Sequence, residues 1–91
     1  MSEVRAGIDR LDCVLVGLIA ERQAYIERAA QIKASRSDVR DEGRIAEVMS
    51  NIAREAEAAG LSLSIAMPVW RLLVECSIAH EFEAFDREKG S

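Results

Sequence analysis

The chain has 91 residues and a formal net charge of −4 at pH 7; 49% of its residues are hydrophobic, 31% charged and 4% aromatic. This length predicts one domain, covering residues 1–91, with only a small core of its own. The negative charge argues against nucleic acid or an anionic membrane as the main partner, and there is no signal peptide or membrane-spanning apolar run. We therefore expect a cytoplasmic protein whose anion-binding sites, if any, are local clusters of cations.

The first predicted helix begins near Ser2 and continues for about 32 residues without a proline. At about 100° per residue, one stripe of positions stays within about 40° of a single line. The stripe consists of Val4, Ile8, Leu11, Leu15, Leu18, Arg22, Ile26, Ala29 and Lys33. Two cations, Arg22 and Lys33, therefore stand on a face that a helix normally buries.

The polar segment SRSDVRDEG, residues 35–43, is the predicted connection to a second helix. That helix begins at Asp38 or Asp41 and ends at Ala59, before Gly60, which suits the left-handed residue that often ends a helix. Its predicted buried face is formed by Ile45, Val48, Met49, Ile52 and Ala56.

The third predicted helix is capped by Ser62 or Ser64 and runs to about Glu88, with Pro68 close enough to its start to cause at most a mild kink. Its predicted buried face is formed by Ile65, Val69, Leu72, Leu73, Cys76 and Ala79. Cys13 and Cys76 lack metal-ligand spacing, so we expect packed free thiols in a reducing compartment. His80 lies at the edge of this face and is expected to have a structural role.

The first helix is too long for a compact domain of this size. A helix of about 32 residues extends about 48 Å, whereas a compact domain of this length has a radius of gyration of only about 12 Å. One chain's other helices cannot cover the whole stripe. The predicted fold is therefore all-α, with three helices per chain and an intertwined homodimer; a monomeric three-helix bundle is the alternative.

Arg22 and Lys33 are three turns apart and point the same way, about 16 Å from each other along the helix. Burial of an unpaired cation is costly, so they either extend to an edge, pair with acids or line a cavity for an anion. Arg44 on the second helix and Ser77 and Glu81 on the third can join them. Such a cavity would suit a small molecule with more than one carboxylate, which guanidinium groups bind bidentately.

Several segments are similar to the all-helical (type II) chorismate mutases. VRAGIDRLDCVLVGLIAERQAYIERAAQIK resembles their first helix, with an R-x-x-I-D-x-L-D start, an A-E-R turn and a later lysine. VRDEGRI resembles the start of their second helix, and LLVECSIAHEFE resembles their third. Arg5, Arg22, Lys33 and Arg44 match the pattern in spacing.

The resemblance implies an intertwined dimer that converts chorismate to prephenate in aromatic amino-acid biosynthesis, without a metal or other cofactor. It also implies that Arg22 and Arg44, with Arg5 of the second chain, hold the two carboxylates of the dianionic substrate. Ser77 and the backbone near Asp41 would assist.

Lys33 and Glu81 would flank the ether oxygen of the C–O bond that breaks. The family usually has glutamine where this chain has Glu81. A glutamine amide donates a hydrogen bond at any pH, whereas a carboxyl group donates only when it is protonated. We therefore predict that activity falls as the pH rises through the ionisation of Glu81.

Ile45 replaces a glutamate that contacts the substrate's ring hydroxyl in the mutase pattern. The related isochorismate–pyruvate lyases, which produce salicylate, tend to be apolar there, and the KAS after the first helix resembles theirs. Ile45 could also simply belong to the core of the second helix. Two alternatives thus stay open: a pyruvate lyase with the same cationic pocket, and a non-catalytic helical dimer that binds an acid or a shikimate-pathway enzyme.

Overall fold

The computed structural model describes residues 1–89, and its regular structure is entirely helical there. Helix α1 spans Ser2–Ile32, a single-turn 3-10 helix spans Arg36–Asp38, helix α2 spans Glu42–Ala59 and helix α3 spans Leu63–Lys89. No helix within residues 1–89 is long and apolar enough to cross a bilayer. The predicted number and order of helices are confirmed.

The ends of the helices follow from local chemistry. The Asp41 side chain caps α2 by accepting a hydrogen bond from the Arg44 amide at 3.0 Å. Gly60 ends α2 with φ of 74°, a conformation that glycine adopts without steric cost, and the Leu61 amide then donates to the Ala56 carbonyl. Both predictions for the ends of α2 are confirmed.

Helix α3 begins two residues earlier, relative to its proline, than a Ser64 cap would give. Leu63 is its first residue, so Pro68 is the sixth and removes the amide that would bond to the Ser64 carbonyl. The helix continues through this position because only one intrahelical bond is lost.

Helix α3 packs against both α1 and α2 and so forms the centre of the chain. The main cluster of buried residues joins Ala30 of α1, Val39 of the connection, and Ala84 and Phe85 of α3. The predicted buried face of α2 is confirmed, since all five of its apolar residues are buried or half-buried.

The predicted buried face of α3 is wrong for the single chain. Ile65, Val69 and Leu72 are 52–66% exposed, and Cys76 and Ala79 are also exposed. The buried residues are instead Ala66, Val74, Glu81, Ala84 and Phe85. The reason is that α3 lies between two helices, and its small residues permit close approach there, whereas the most apolar side faces away from both.

The cysteines also differ from expectation, because Cys13 and Cys76 are free but exposed in the chain. Cys13 belongs to the N-terminal half of α1, in which every residue from Leu11 to Ala20 is exposed. Val4, Ile8, Leu11, Leu15 and Leu18 are each at least half exposed.

The described chain is elongated, as the length of α1 requires. Its radius of gyration is 15.8 Å and its principal extents are 51 × 25 × 15 Å. The C-terminal half of α1 is covered by α3 and the connection, and the N-terminal half extends beyond them. The long apolar stripe is thus buried only at one end within a single chain.

His80 connects α3 to α1, in keeping with the structural role expected for it. Its Nε2 lies 2.6 Å from Oε2 of Glu27, and this hydrogen bond, together with one from Gln23, lowers the pKa of Glu27 from the usual value of 4.5. A carboxyl group with a lowered folded-state pKa stabilises the fold above its unfolded-state pKa. That contribution is lost as the pH falls through the folded-state value.

We predict that Glu27→Gln lowers the thermal midpoint at pH 7, and that the difference from the unmodified protein narrows below about pH 4.5. Thermal unfolding followed by circular dichroism between pH 7 and pH 3 measures this. Glu83→Gln, at an exposed position on α3, is the control and should leave the thermal midpoint close to that of the unmodified protein. If the difference in thermal midpoint between Glu27→Gln and the unmodified protein did not change with pH, the stabilising role of the Glu27–His80 hydrogen bond would be contradicted.

Candidate active site

A cavity of about 420 Å³ lies where the C-terminal half of α1, the connection, the start of α2 and the middle of α3 meet. Each of these elements contributes both polar and apolar side chains to its lining. The lining residues are Arg22, Ile26, Ala29, Lys33, Asp38, Val39, Asp41, Arg44, Ile45, Val48, Val74, Ser77, Ile78 and Glu81. All but one of the site residues suggested by the sequence are in this set.

Lys33 and Glu81 form an ion pair in the wall of the cavity. Lys33 Nζ lies 2.7 Å from Glu81 Oε2, and the two side chains are 30% and 6% exposed. Lys33 stands where α1 ends and its backbone turns to an extended conformation, so its side chain can reach across to α3. A carboxylate this buried requires a partner charge, and Lys33 supplies it.

Arg22 is held by a neutral group. Its Nη1 donates to Ser77 Oγ at 2.6 Å, and that hydroxyl donates in turn to the Leu73 carbonyl at 2.7 Å. Burial first, and the positive charge of Arg44 second, lower the pKa of Arg22. The guanidinium group is therefore partly desolvated and repelled by a second cation, a condition that an anion bound between the two would relieve.

Arg44 lies at the outer edge of the cavity. Its amide is fixed by the Asp41 cap, while its guanidinium group pairs with Glu47 one turn further along α2. Both side chains of that pair are about 60% exposed. An exposed pair of this kind contributes little free energy, so a carboxylate in the cavity can compete with Glu47 for Arg44.

Arg5 is the site residue that the single chain does not bring to the cavity. It is exposed on α1, 17 residues before Arg22, which places it about 25 Å away along the helix. Within one chain it therefore cannot contact the same small molecule as Arg22.

The structure adds residues that the sequence did not single out for the site. Asp38 and Val39 of the connection and Val74 and Ile78 of α3 line the cavity. Val39 is only 4% exposed, and a lone apolar residue inside the polar segment 35–43 was the available signal. Val74 and Ile78 lie on the same face of α3 as Ser77 and Glu81, at i, i+3, i+4 and i+7, and that helical spacing was the available signal.

The cavity lining has three cationic and three acidic side chains, but they are not paired one to one. Glu81 neutralises Lys33, Asp41 caps α2, and Asp38 accepts a hydrogen bond from the Ser35 amide. Arg22 is thus the lining cation whose partner is neutral, and Arg44 is the one whose partner lies outside. This arrangement can bind a small anion between two guanidinium groups and present the Lys33 ammonium and the Glu81 carboxyl group to the same molecule.

Fold and site together define a small three-helix protein whose cavity is lined by three cationic and three acidic side chains. The family model for chorismate mutase type II matches residues 4–82, and the chain belongs to that family. It is 25% identical, over all 91 of its residues and 90% of the relative's length, to a Pseudomonas aeruginosa protein named isochorismate pyruvate lyase.

Proposed function

We propose that this protein is a chorismate mutase that rearranges chorismate to prephenate in aromatic amino-acid biosynthesis. The observation that carries the proposal is the convergence of Arg22 and the Lys33–Glu81 pair on one cavity, with Arg44 at its edge. The substrate is a compact dianion, and the cavity's volume of about 420 Å³ is sufficient for a molecule of that class.

Arg22 and Arg44 hold the substrate's carboxylates in this proposal. Guanidinium groups bind carboxylates bidentately and thereby set their orientation as well as their position. Orientation matters because the rearrangement is unimolecular and proceeds only from a compact conformer with its reacting ends together. Arg44 exchanges Glu47 for the substrate, and the repulsion between Arg44 and Arg22 is relieved by the bound anion.

Lys33 and Glu81 act on the ether oxygen in this proposal. Negative charge develops on that oxygen as the C–O bond breaks, and a cation already held in place stabilises it without reorganisation. Lys33 is held by its 2.7 Å contact with Glu81 before any substrate binds. The reaction needs no nucleophile and no cofactor, so positioning and electrostatics supply the catalysis.

We also propose that the active form is an intertwined homodimer in which Arg5 of the second chain completes the site. The support is the exposed apolar half of α1, which continues the stripe that is buried at the other end of the same helix. An antiparallel second copy would cover this half and bring its own Arg5 toward Arg22. Arg5 would then be the third cation for the substrate's carboxylates.

A pyruvate lyase acting on isochorismate is the second candidate. Ile45 presents an apolar side chain to the cavity where the mutase pattern has a glutamate, and the Pseudomonas relative carries the lyase name. The same cations would serve either reaction, because both break a C–O bond to an enolpyruvyl group.

A non-catalytic dimer that binds an acid or a shikimate-pathway enzyme would require neither the Lys33–Glu81 pair nor Arg22 in the cavity.

We predict that the purified protein forms prephenate from chorismate, and that Arg22→Ala lowers kcat/KM by about 100-fold or more, equivalent to about 3 kcal/mol. Steady-state assays with chorismate and with isochorismate measure this and distinguish mutase from lyase. Arg54→Ala, at an exposed arginine of α2 outside the cavity, should leave the rate unchanged. An active Arg22→Ala variant would show that the site is assigned wrongly.

Mixing two inactive variants tests whether Arg5 comes from the second chain. Arg5→Ala and Arg22→Ala should each be inactive alone. After co-refolding, the mixed dimer has one site with both arginines and one site with neither. A statistical mixture should regain about a quarter of the activity of the unmodified protein. No recovery, despite mixed dimers detected by native mass spectrometry, would place Arg5 outside the partner's site.

Glu81→Gln tests the hydrogen bond to the ether oxygen. In the free chain Glu81 is paired with Lys33, and an ionised carboxylate only accepts hydrogen bonds, so Glu81 can donate to the ether oxygen only after it takes up a proton with the dianion. We predict that activity of the unmodified protein falls as the pH rises, whereas the glutamine variant remains active because its amide donates at every pH. Profiles of kcat against pH measure this, with Glu83→Gln as the control. Superimposable profiles for Glu81→Gln and the unmodified protein would rule out this role.

A further inference from the structure

One wall of the cavity is formed by the connection between α1 and α2 rather than by a helix. Val39 and Asp41 line the cavity, and Arg40 lies between them. Val39 is buried against Ala30, Ala84 and Phe85, which holds the middle of the connection against the core. The position of Asp41, which caps α2 and fixes the Arg44 amide, therefore depends on how the residues immediately after Val39 are held.

Arg40 fastens this part of the connection to α3. Its Nη1 and Nη2 donate to the two carboxylate oxygens of Glu75 at 3.0 and 2.9 Å, and its Nε donates to Glu42 at 2.7 Å. Glu75 is adjacent to Val74 and two residues before Ser77, both of which line the cavity. The same guanidinium group thus links the wall, the first turn of α2 and the part of α3 that carries the site.

The geometry of this contact sets it apart from an ordinary surface ion pair. An isolated exposed pair contributes little, but a bidentate pair that belongs to a network has a defined orientation. The hydrogen bonds from Arg40 lower the pKa of Glu75, and those to Glu75 and Glu42 raise the pKa of Arg40. Both groups are therefore ionised at neutral pH. Their side chains are 41% and 49% exposed, so the contact is partly accessible to solvent.

We propose that Arg40 and Glu75 are a positioning pair for the active site. They hold the Val39–Asp41 wall against α3 and thereby set the position from which Arg44 reaches the substrate. Neither residue contacts the substrate; they act through Asp41 and Arg44. This inference rests on the proposed function for its kinetic consequences, whereas its structural consequence can be measured independently.

The first test is amide hydrogen exchange by NMR in Glu75→Gln, which keeps the side chain's size but removes the charged partner. The Val39 and Arg44 amides should exchange about ten-fold faster or more, while amides in the middle of α2 remain unchanged, because the opening is local. Glu83→Gln is the matched control, because the exposed Glu83 side chain makes no hydrogen bond or ion pair with any other residue of the described range 1–89. Unchanged exchange in Glu75→Gln would overturn the proposal.

The second test is kinetic. Glu75→Gln and Arg40→Gln should each raise KM about three- to ten-fold with a smaller change in kcat, because a displaced Arg44 weakens binding of the substrate's carboxylate. The double variant should be no worse than the more impaired single variant, since the two residues act through one contact. Arg40→Lys keeps the charge without the two-pronged geometry and should be intermediate.

The outcomes separate this proposal from the proposed function. Additive effects of the two substitutions, or faster exchange with unchanged KM, would overturn the positioning role. If the unmodified protein acts on neither substrate, the proposed function fails. In that case the exchange experiment still decides whether the Arg40–Glu75 pair positions the Val39–Asp41 wall. Calorimetry of malonate, a small dicarboxylate, binding to the unmodified and Glu75→Gln proteins complements it.

Discussion

The length of α1 is the constraint on which the rest of the structure depends. Its 31 residues extend along the longest dimension of the chain, 51 Å, whereas α3 and the connection cover only its C-terminal half. The core of the single chain and the cavity therefore occupy the same end of the molecule. At the other end, no part of residues 1–89 covers the apolar face of α1, which is the physical ground for proposing a second copy there.

The Lys33–Glu81 ion pair joins this core to the site. Glu81 is buried on α3 amid residues that pack against α1, so its charge has to be neutralised by a partner from another element. Lys33 can do so because α1 ends beside it. One consequence is that the cavity's remaining attraction for anions is concentrated at Arg22 and Arg44.

The same arrangement accounts for why two reactions are candidates. Breaking the C–O bond to an enolpyruvyl group requires orientation by cations and stabilisation of charge on oxygen, and these are common to the mutase and the lyase. In the proposal, the choice between them depends on the apolar side chain of Ile45 and on the shape of the cavity wall that the connection forms. The Arg40–Glu75 contact is placed to influence that shape without touching the substrate.

The sequence by itself determined the three helices, the ends of α2 and the presence of cations on the apolar stripe of α1, because periodicity and capping residues are local properties. It also pointed to Arg22, Lys33, Arg44, Ser77 and Glu81 as candidate site residues. Tertiary structure alone decided which face of α3 is buried, that the connection forms a wall of the cavity, and that Arg40 reaches Glu75. Those features depend on how α3 is seated between two other helices, and no local pattern encodes the packing of elements that are distant in the chain.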